Sequence, residues 1–354
     1  MQPYDLLVFI GRFQPFHLGH LAVVRKGLAS SRRVLVLAGS ADRPRNIRDP
    51  FTAAERAETI LASLSAEERQ RVAVVPLRDA MYNDPVWIRN VQAAVFAHLA
   101  AVFPGDAVER LRLGLVGHSK DNSSYYLRLF PHWGAVNTDN HQGIGATELR
   151  ELYFSADFDG AAASPEVVRL FAERLPPATL AFLQRFATTP AYRELKAEQD
   201  FVARYRAQFS DLKYPPSFNT ADAVVVQSGH VLLVRRGARP GLGQLALPGG
   251  FIHPAETALD ACLRELREET RLKVPEPVLR GSLSGKDLFD DPFRSTRGRT
   301  FTTAFRFDLR PDTELPRVKG GDDAREAFWL PLARVNPQEM FEDHYFILQK
   351  MVGL

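Results

Sequence analysis

Glu265, Glu268 and Glu269 stand at i, i+3 and i+4 within Arg264-Glu265-Leu266-Arg267-Glu268-Glu269. On a helix the three carboxylates share one face and repel one another unless a cation sits among them. Hard oxygen ligands of this kind suit Mg²⁺ or Mn²⁺. Arg264 precedes Glu268 by four residues and can orient it. Upstream, the pair Gly249-Gly250 can turn tightly and offer a carbonyl to a metal. Taken alone, these residues also fit a charged helix face that is simply solvated.

A second constellation lies near the start of the chain, where the apolar run Leu6–Ile10 leads into Gly11-Arg-Phe-Gln-Pro-Phe-His-Leu-Gly-His20. A strand ending there, with a helix beginning near His17 or Leu18, sets a helix N-terminus at the strand's carboxyl end. Unpaired N–H groups and the helix dipole make that place favourable for phosphate. His17 and His20 share a face of the first turn, and Gly19 removes a side chain where a phosphate would approach. Imidazoles can stabilise charge on a transferred phosphate without acting as nucleophiles. The plainer alternative is a pair of solvated or capping histidines.

The elements that must carry these residues follow from periodicity. Short apolar runs at Leu6–Ile10, Val34–Ala38, Val72–Pro76 and Leu113–Val116 alternate with helical patterns at Leu18–Ser30, Thr52–Leu64 and Val86–Ala100. That alternation predicts a parallel sheet with right-handed crossovers. Thr52 and Glu55 form a capping-box pattern that marks a helix start. Residues 165–210 carry helical spacing only, and the prolines in Ser210–Asn219 stop the helix. Beyond them the pattern predicts a hairpin around Ser228-Gly229, a helix over Glu256–Thr270, and strands near Val278–Leu283, Thr300–Phe307 and Ala327–Leu330. That is an α+β domain with a mixed sheet.

At 354 residues the chain is long enough for two domains. A net charge of +3 gives no case for nucleic acid, and no apolar run approaches the roughly 20 residues of a membrane helix. Of 45 Lys and Arg only eight are lysine, and the arginine fork suits phosphate and carboxylate, although biased genome composition explains the excess equally well. Residues 1–10 enter a strand pattern without a basic leader, and Cys262 is the only cysteine. A cytoplasmic location without disulfides is therefore expected.

The decapeptide Gly11–His20 resembles the signature of nucleotidyltransferases, specifically the archaeal-type nicotinamide mononucleotide (NMN) adenylyltransferases. Asn46-Ile-Arg-Asp-Pro-Phe-Thr-Ala-Ala-Glu-Arg56, Asn83 with Trp87, and Gly143-Ile-Gly-Ala-Thr-Glu-Leu-Arg150 extend the resemblance over about residues 4–155. It implies a Rossmann-like α/β domain in which His17, His20 and Arg150 act on the phosphates of ATP. Arg48 would lie near those phosphates and Trp87 would stack on the nicotinamide ring. Gly11, Arg12, Phe13, Asn83 and Thr147 complete the expected substrate-binding set. The implied reaction joins ATP and NMN to give NAD and pyrophosphate, by positioning and charge stabilisation. Where that family usually has serine, this chain has Gly145, which removes one hydroxyl donor and is expected to slow turnover at most.

The spacing from Gly250 through Glu256 to Glu269 resembles the Nudix box. This implies metal ligation by Gly250, Glu265, Glu268 and Glu269, with Glu265 and Glu269 also catalytic in activating water. Arg271 stands where the box has glycine, at an expected cost on the order of 1 kcal/mol of left-handed strain. Asp290–Arg299 resembles a stretch of Nudix domains that cleave ADP-ribose or are fused to the adenylyltransferase. Arg294, Arg297 and Arg299 would there bind a phosphate or terminal ribose. Gly320-Gly321-Asp322-Asp323 through Phe328-Trp329 matches the fused proteins too, without an assignable role beyond structure.

The combined expectation is a nucleotidyltransferase domain over 1–185, a helical connector over 186–215 and a Nudix domain over 216–354. Its ligands would be ATP, NMN, NAD and ADP-ribose with Mg²⁺ or Mn²⁺, and homo-oligomerisation stays open. The alternatives are a transferase with another phosphorylated acceptor, a Nudix domain cutting another dinucleotide, or one acting as a ligand sensor.

Overall fold

A computed structural model describes residues 2–117, 129–138, 145–155 and 164–354. The chain divides into two compact units, Met1–Lys196 and Ala197–Leu354.

In the first unit, strands β1 (Tyr4–Gly11), β2 (Ser31–Ala38), β3 (Val72–Pro76), β4 (Leu113–Gly117) and β5 (Gly134–Asn137) form one sheet in the order β3-β2-β1-β4-β5. Every pairing in it is parallel. Strand order reverses at β1, so the carboxyl ends of β1 and β4 flank the crevice where such sheets bind ligands. Helices α1 (Leu18–Ser30), α2 (Ala53–Ala62), α3 (Ala66–Gln70) and α4 (Asp84–Val102) provide the crossovers, and α5 (Ala146–Tyr153) follows β5. β1 is buried along Asp5–Ile10 and alternates its side chains between two cores. Leu7 and Phe9 join the cluster of Val24, Leu28 and Ile60, while Leu6 and Val8 join that of Val91, Val95 and Leu99. A run buried on both faces is what a central parallel strand requires.

Helices α6 (Pro165–Arg174), α7 (Pro177–Phe186) and α8 (Pro190–Ala207) come next. The two tyrosines between α5 and this group are tied to main chain: Tyr153 donates to the carbonyl of Leu183 at 2.7 Å and Tyr192 to that of Tyr153 at 3.0 Å.

The second unit holds β6 (Ser217–Gln227), β7 (His230–Arg236), β8 (Leu245–Ala246), β9 (Gly249–Phe251), β10 (Leu283–Phe289), β11 (Arg299–Asp308) and β12 (Ala324–Pro331). The main order is β10-β11-β6-β7-β12, with β8 on β7 and β9 on β6. The sheet is mixed, because β11 runs parallel to β6 and the other pairings are antiparallel. Ser228 (φ 46°) and Gly229 (φ 73°) make the hairpin turn between β6 and β7. Helix α9 (Ala258–Thr270) buries Ala261, Cys262 and Leu266 with Ala221, Ala223 and Phe305 of the sheet.

Two sequence expectations need correction. The strand read over Val278–Leu283 is a short helix, α10 (Glu276–Gly281), and β10 begins only at Leu283. Pro275 and Pro277 favour a helix start, and the buried neighbour of exposed Val278 is Leu279. α9 starts at Ala258 rather than Glu256, because the Thr257 side chain accepts from the Asp260 amide and caps it. The last helix, α11 (His344–Val352), closes the described chain. Among the described residues no helix is long and apolar enough to cross a membrane.

Two candidate active sites

β1 delivers Gly11 to the ligand end of the first sheet, and the loop behind it is held from several sides. The Gln14 carboxamide donates to the carbonyl of Phe51 at 2.9 Å and accepts from its amide at 3.0 Å. The buried Arg56 guanidinium donates to the carbonyls of Arg12 at 2.7 Å and Gly39 at 2.6 Å. Phe13, at φ 53°, turns its ring back over Gly11 and against Phe9. Gln14 and Arg56 both lie inside quoted motifs, yet their partners are distant backbone groups, so spacing alone assigned them no role.

His17 caps α1 and is buried. Its Nδ1 accepts from the His20 amide, and the His20 Nδ1 accepts from the His17 amide, both at 3.3 Å. The two rings stack with centroids 3.6 Å apart. An Nδ1 that accepts a hydrogen bond carries no proton, so each neutral ring bears its proton on Nε2. The capping role is therefore real, and it presets both imidazoles as Nε2–H donors.

Arg150 reaches the same loop from α5. It donates to the Gln14 carbonyl at 2.6 Å and to the Thr147 hydroxyl at 3.1 Å. Burial, with Arg12 nearby, lowers its pKa to about 10, which still leaves it charged at neutral pH. Arg12 and Arg48 both bear electrostatically on it. Arg12 is half-exposed, with Asp49 3.7 Å away, and Arg48 lies in a loop turned by Asn46, whose side-chain oxygen accepts from the Arg48 and Asp49 amides. Gly145 caps α5 with no side-chain hydrogen bond. Gly143 and Ile144 of the same motif lie outside the described residues. Asn83 caps α4 by accepting from the Val86 amide at 3.2 Å. One turn on, Trp87 packs half-buried on the core beside Phe130. Thus His17, His20, Arg150, Thr147, Arg12 and Arg48 gather around one loop, while Asn83 and Trp87 sit on a separate element.

In the second unit, α9 lies across β9 so that Glu269 reaches the Gly249 amide, which donates to its carboxylate at 2.9 Å. A Cβ on Gly250 would run into the Glu265 carboxylate, so only glycine permits this approach. Burial pushes the Glu269 carboxyl up to about 9, and the neighbouring Asp323 and Glu265 add to the shift. Burial, with Glu268 and Asp323, also raises Glu265. Glu268 is more open, with about half of its side chain exposed. Arg264 ties the group together, donating to Glu256 at 2.7 Å, to Glu265 at 2.8 Å and to Glu268 at 3.0 Å. That guanidinium holds the Glu256 carboxyl down at about 2. Asp323 is the member that spacing did not assign, since it comes to Glu269 from the turn just before β12.

Among the described residues, no three His, Cys, Asp or Glu side chains are drawn up as a finished metal-ligand set. The donor chemistry nonetheless suits a divalent cation. Buried Glu269 and partly buried Glu265 are both held above the ordinary carboxylate range by burial and by neighbouring carboxylates, Asp323 among them in each case, a repulsion that a hard cation relieves.

The arginines after β10 diverge. Arg294, expected to bind a phosphate or ribose, is instead buried in a two-pronged pair with Asp343, at 2.9 Å on both contacts. Arg297 lies over the Phe251 ring at 5.1 Å. Arg299 lies over Phe301 and donates to the carbonyl of Asp290 at 2.6 Å. Arg271 ends α9 at φ 48°, ψ 32°, the left-handed conformation expected of a glycine there.

Fold and sites together define a chain of two phosphate-handling enzymes, one built on a parallel sheet and one on a carboxylate-bearing helix. A cytidylyltransferase-like family model matches residues 8–151 and a NUDIX domain model residues 216–351. The chain is 38% identical over 211 residues to the nicotinamide/nicotinic acid mononucleotide adenylyltransferase of Acinetobacter baylyi, covering 59% of this chain and 98% of that one. It is 34% identical over 128 residues to the ADP-ribose pyrophosphatase of Methanocaldococcus jannaschii, 36% of this chain and 69% of the relative. Of the nicotinamide-nucleotide adenylyltransferase of Saccharolobus solfataricus it spans about half the length. A crystal structure of a bifunctional NMN adenylyltransferase/ADP-ribose pyrophosphatase from Francisella tularensis, complexed with AMP and an Mn ion, superposes with a TM-score of 0.86, 32% identity and 99% coverage of both chains. The chain belongs to this bifunctional adenylyltransferase–Nudix family.

Proposed function

We propose that the chain performs two reactions at diphosphate bonds. In the first unit the 5′-phosphate oxygen of NMN attacks the α-phosphorus of ATP, the bond to the bridging oxygen breaks, and NAD and pyrophosphate leave. His17 and His20 offer their Nε2–H groups to the phosphates, and Arg150 adds a fixed positive charge. Donors set before the reaction cost no reorganisation as charge develops. Arg12, Arg48 and Thr147 hold the nucleotide phosphates, with Gly11 and Phe13 shaping the loop. Asn83 and Trp87 receive the nicotinamide end.

In the second unit ADP-ribose is hydrolysed to AMP and ribose 5-phosphate. Glu265, Glu268, Glu269 and the Gly250 carbonyl would hold Mg²⁺ or Mn²⁺, which when bound makes water more acidic and neutralises diphosphate charge. Glu269, buried beside Gly249, takes the proton from the attacking water, a role that requires a bound cation to keep its carboxylate ionised. Arg264 orients Glu265 and Glu268, and Arg297 and Arg299 contact the nucleotide. The relative named for ADP-ribose supports this substrate over another dinucleotide. The functional division is taken as 1–185, 186–215 and 216–354, in a cytoplasmic protein.

The observation that carries the reading is one chain bearing both a preset imidazole pair on the loop that Arg150 holds and the carboxylates of Glu265 and Glu269 against Gly249-Gly250. The test assays His20→Ala and Glu269→Gln for both reactions. Each substitution should silence one activity and spare the other. Loss of both activities from either change defeats the assignment.

A further inference from the structure

In the first unit one carboxylate is set among guanidiniums. Only 4% of the Asp49 side chain is exposed, and its Oδ1 is buried without a hydrogen-bond partner, a state that calls for an explanation in a folded protein. The main chain fixes its place. The Asp49 amide donates to the Asn46 side chain at 2.9 Å, and the Asn46 amide donates to the Asp49 carbonyl at 3.3 Å. From there its charge bears on Arg12, Arg56 and Arg150.

These three arginines are not equivalent. Arg56 is buried and donates to the carbonyls of Arg12, Gly39 and Thr52. Arg150 is held by the Gln14 carbonyl and the Thr147 hydroxyl. Neither can turn without breaking those bonds. Arg12 is half-exposed, and its Nη1 stands 3.7 Å from the Asp49 Oδ1, close enough for attraction and too far for a hydrogen bond. The unpartnered oxygen therefore faces the arginine that these acceptors do not hold.

We infer that Asp49 is a positioning residue that acts through Arg12. It holds that guanidinium in the empty site, yields it to the triphosphate of ATP, and draws it back as pyrophosphate leaves. Carboxylate and phosphate compete for the same planar fork, so the ion pair subtracts from phosphate affinity. Without it, imidazole donors and arginines together would hold the pyrophosphate product tightly, and slow product release limits turnover in many enzymes. The inference rests on the transferase reading proposed above and assigns a residue to the exchange of nucleotide for product. An Asp49 that only balanced the buried charge of Arg56 would act in the opposite sense, since its removal would loosen the loop and weaken ATP.

The test compares wild type, Asp49→Asn, Arg12→Met and the double variant in the full chain with Mg²⁺. NAD synthesis gives the KM for ATP and for NMN and the inhibition constant for pyrophosphate. Calorimetry gives ATP affinity, and the thermal midpoint reports folding; Asp49→Ser repeats the readout should the amide disturb the loop. Asp49→Asn should lower the KM for ATP and tighten pyrophosphate, each by about tenfold, the scale of one like-charge contact removed, while the KM for NMN holds. In the Arg12→Met background the same change should move either constant by less than about twofold, because coupled residues lose their effects together. Unchanged or weaker ATP binding in Asp49→Asn would overturn the inference, as would a tightening that persists in full without Arg12. If wild type forms no NAD yet calorimetric ATP affinity still depends on Asp49 through Arg12, the transferase reading fails and the ion-pair exchange stands.

Discussion

The Arg150 guanidinium lies 2.6 Å from the main-chain carbonyl of Gln14, a residue 136 positions earlier. The Gln14 side chain is in turn clamped to the Phe51 backbone on both of its polar atoms. One glutamine thus sets the positions of the loop after β1, of the approach to α2 and of the guanidinium from α5.

Arg150→Lys keeps a charge but loses the planar fork that holds the Gln14 carbonyl and the Thr147 hydroxyl together. Adenylyl transfer should fall in kcat by about 10²–10³-fold, the scale of one lost oriented donor. ADP-ribose hydrolysis in the same preparation should not change. Steady-state kinetics of both reactions check this.

Glu269 folds with its carboxyl raised to about 9 from an ordinary 4.5, chiefly by burial. A divalent cation should therefore stabilise the second unit markedly, and Glu269→Gln should raise stability without metal while abolishing hydrolysis. Thermal denaturation with and without Mn²⁺ tests both parts. A Glu269→Gln protein that gains as much from Mn²⁺ as wild type would count against Glu269 as a ligand.

His344 is buried, and its Nδ1 accepts from the Leu247 amide at 2.9 Å. Burial lowers its pKa below 6.5, against the pull of Asp222, Asp343 and Glu342, while Arg294 lowers it further. A depressed folded pKa means that the unfolded chain binds the extra proton, so stability from this group is present above pH 6.5 and lost as pH falls. His344→Asn, which retains an acceptor near the Nδ1 position, should flatten the decline in unfolding midpoint between pH 7 and 5. Urea titrations across that range give the slope.

Arg271→Gly should stabilise the second unit by about 1 kcal/mol, because a left-handed residue with a Cβ carries that order of strain. The change removes no carboxylate, so hydrolysis should persist. The denaturant midpoint is the measurement.

Much of this was legible because it is local. Strand and helix order in the first unit, the Thr52 cap and the turn at Ser228-Gly229 depend on neighbours a few residues apart. The carboxylate spacing of α9 needed nothing beyond helical geometry. What stayed hidden depends on partners far along the chain. Arg294 reads as a ligand until Asp343, 49 residues later, takes both of its prongs. Asp323 acquires meaning only beside Glu269. Val278 and Leu279 look like a strand to an eye counting apolar residues, but the flanking prolines decide for a helix.

The reciprocal hydrogen bonds of His17 and His20 restrict what can ever replace them. Asparagine has an acceptor near the Nδ1 position and nothing at Nε2, whereas glutamine reaches Nε2 and misses the main-chain amide. Aspartate would start the helix but bring no donor, serine's hydroxyl is too short to place a donor where Nε2 stands, and lysine would bring a charge while leaving the helix unstarted. Of these side chains only imidazole both accepts the main-chain amide and holds a donor at the Nε2 position. If the proposed phosphate contacts are made there, drift is closed off twice over, by folding and by chemistry, in the same two side chains.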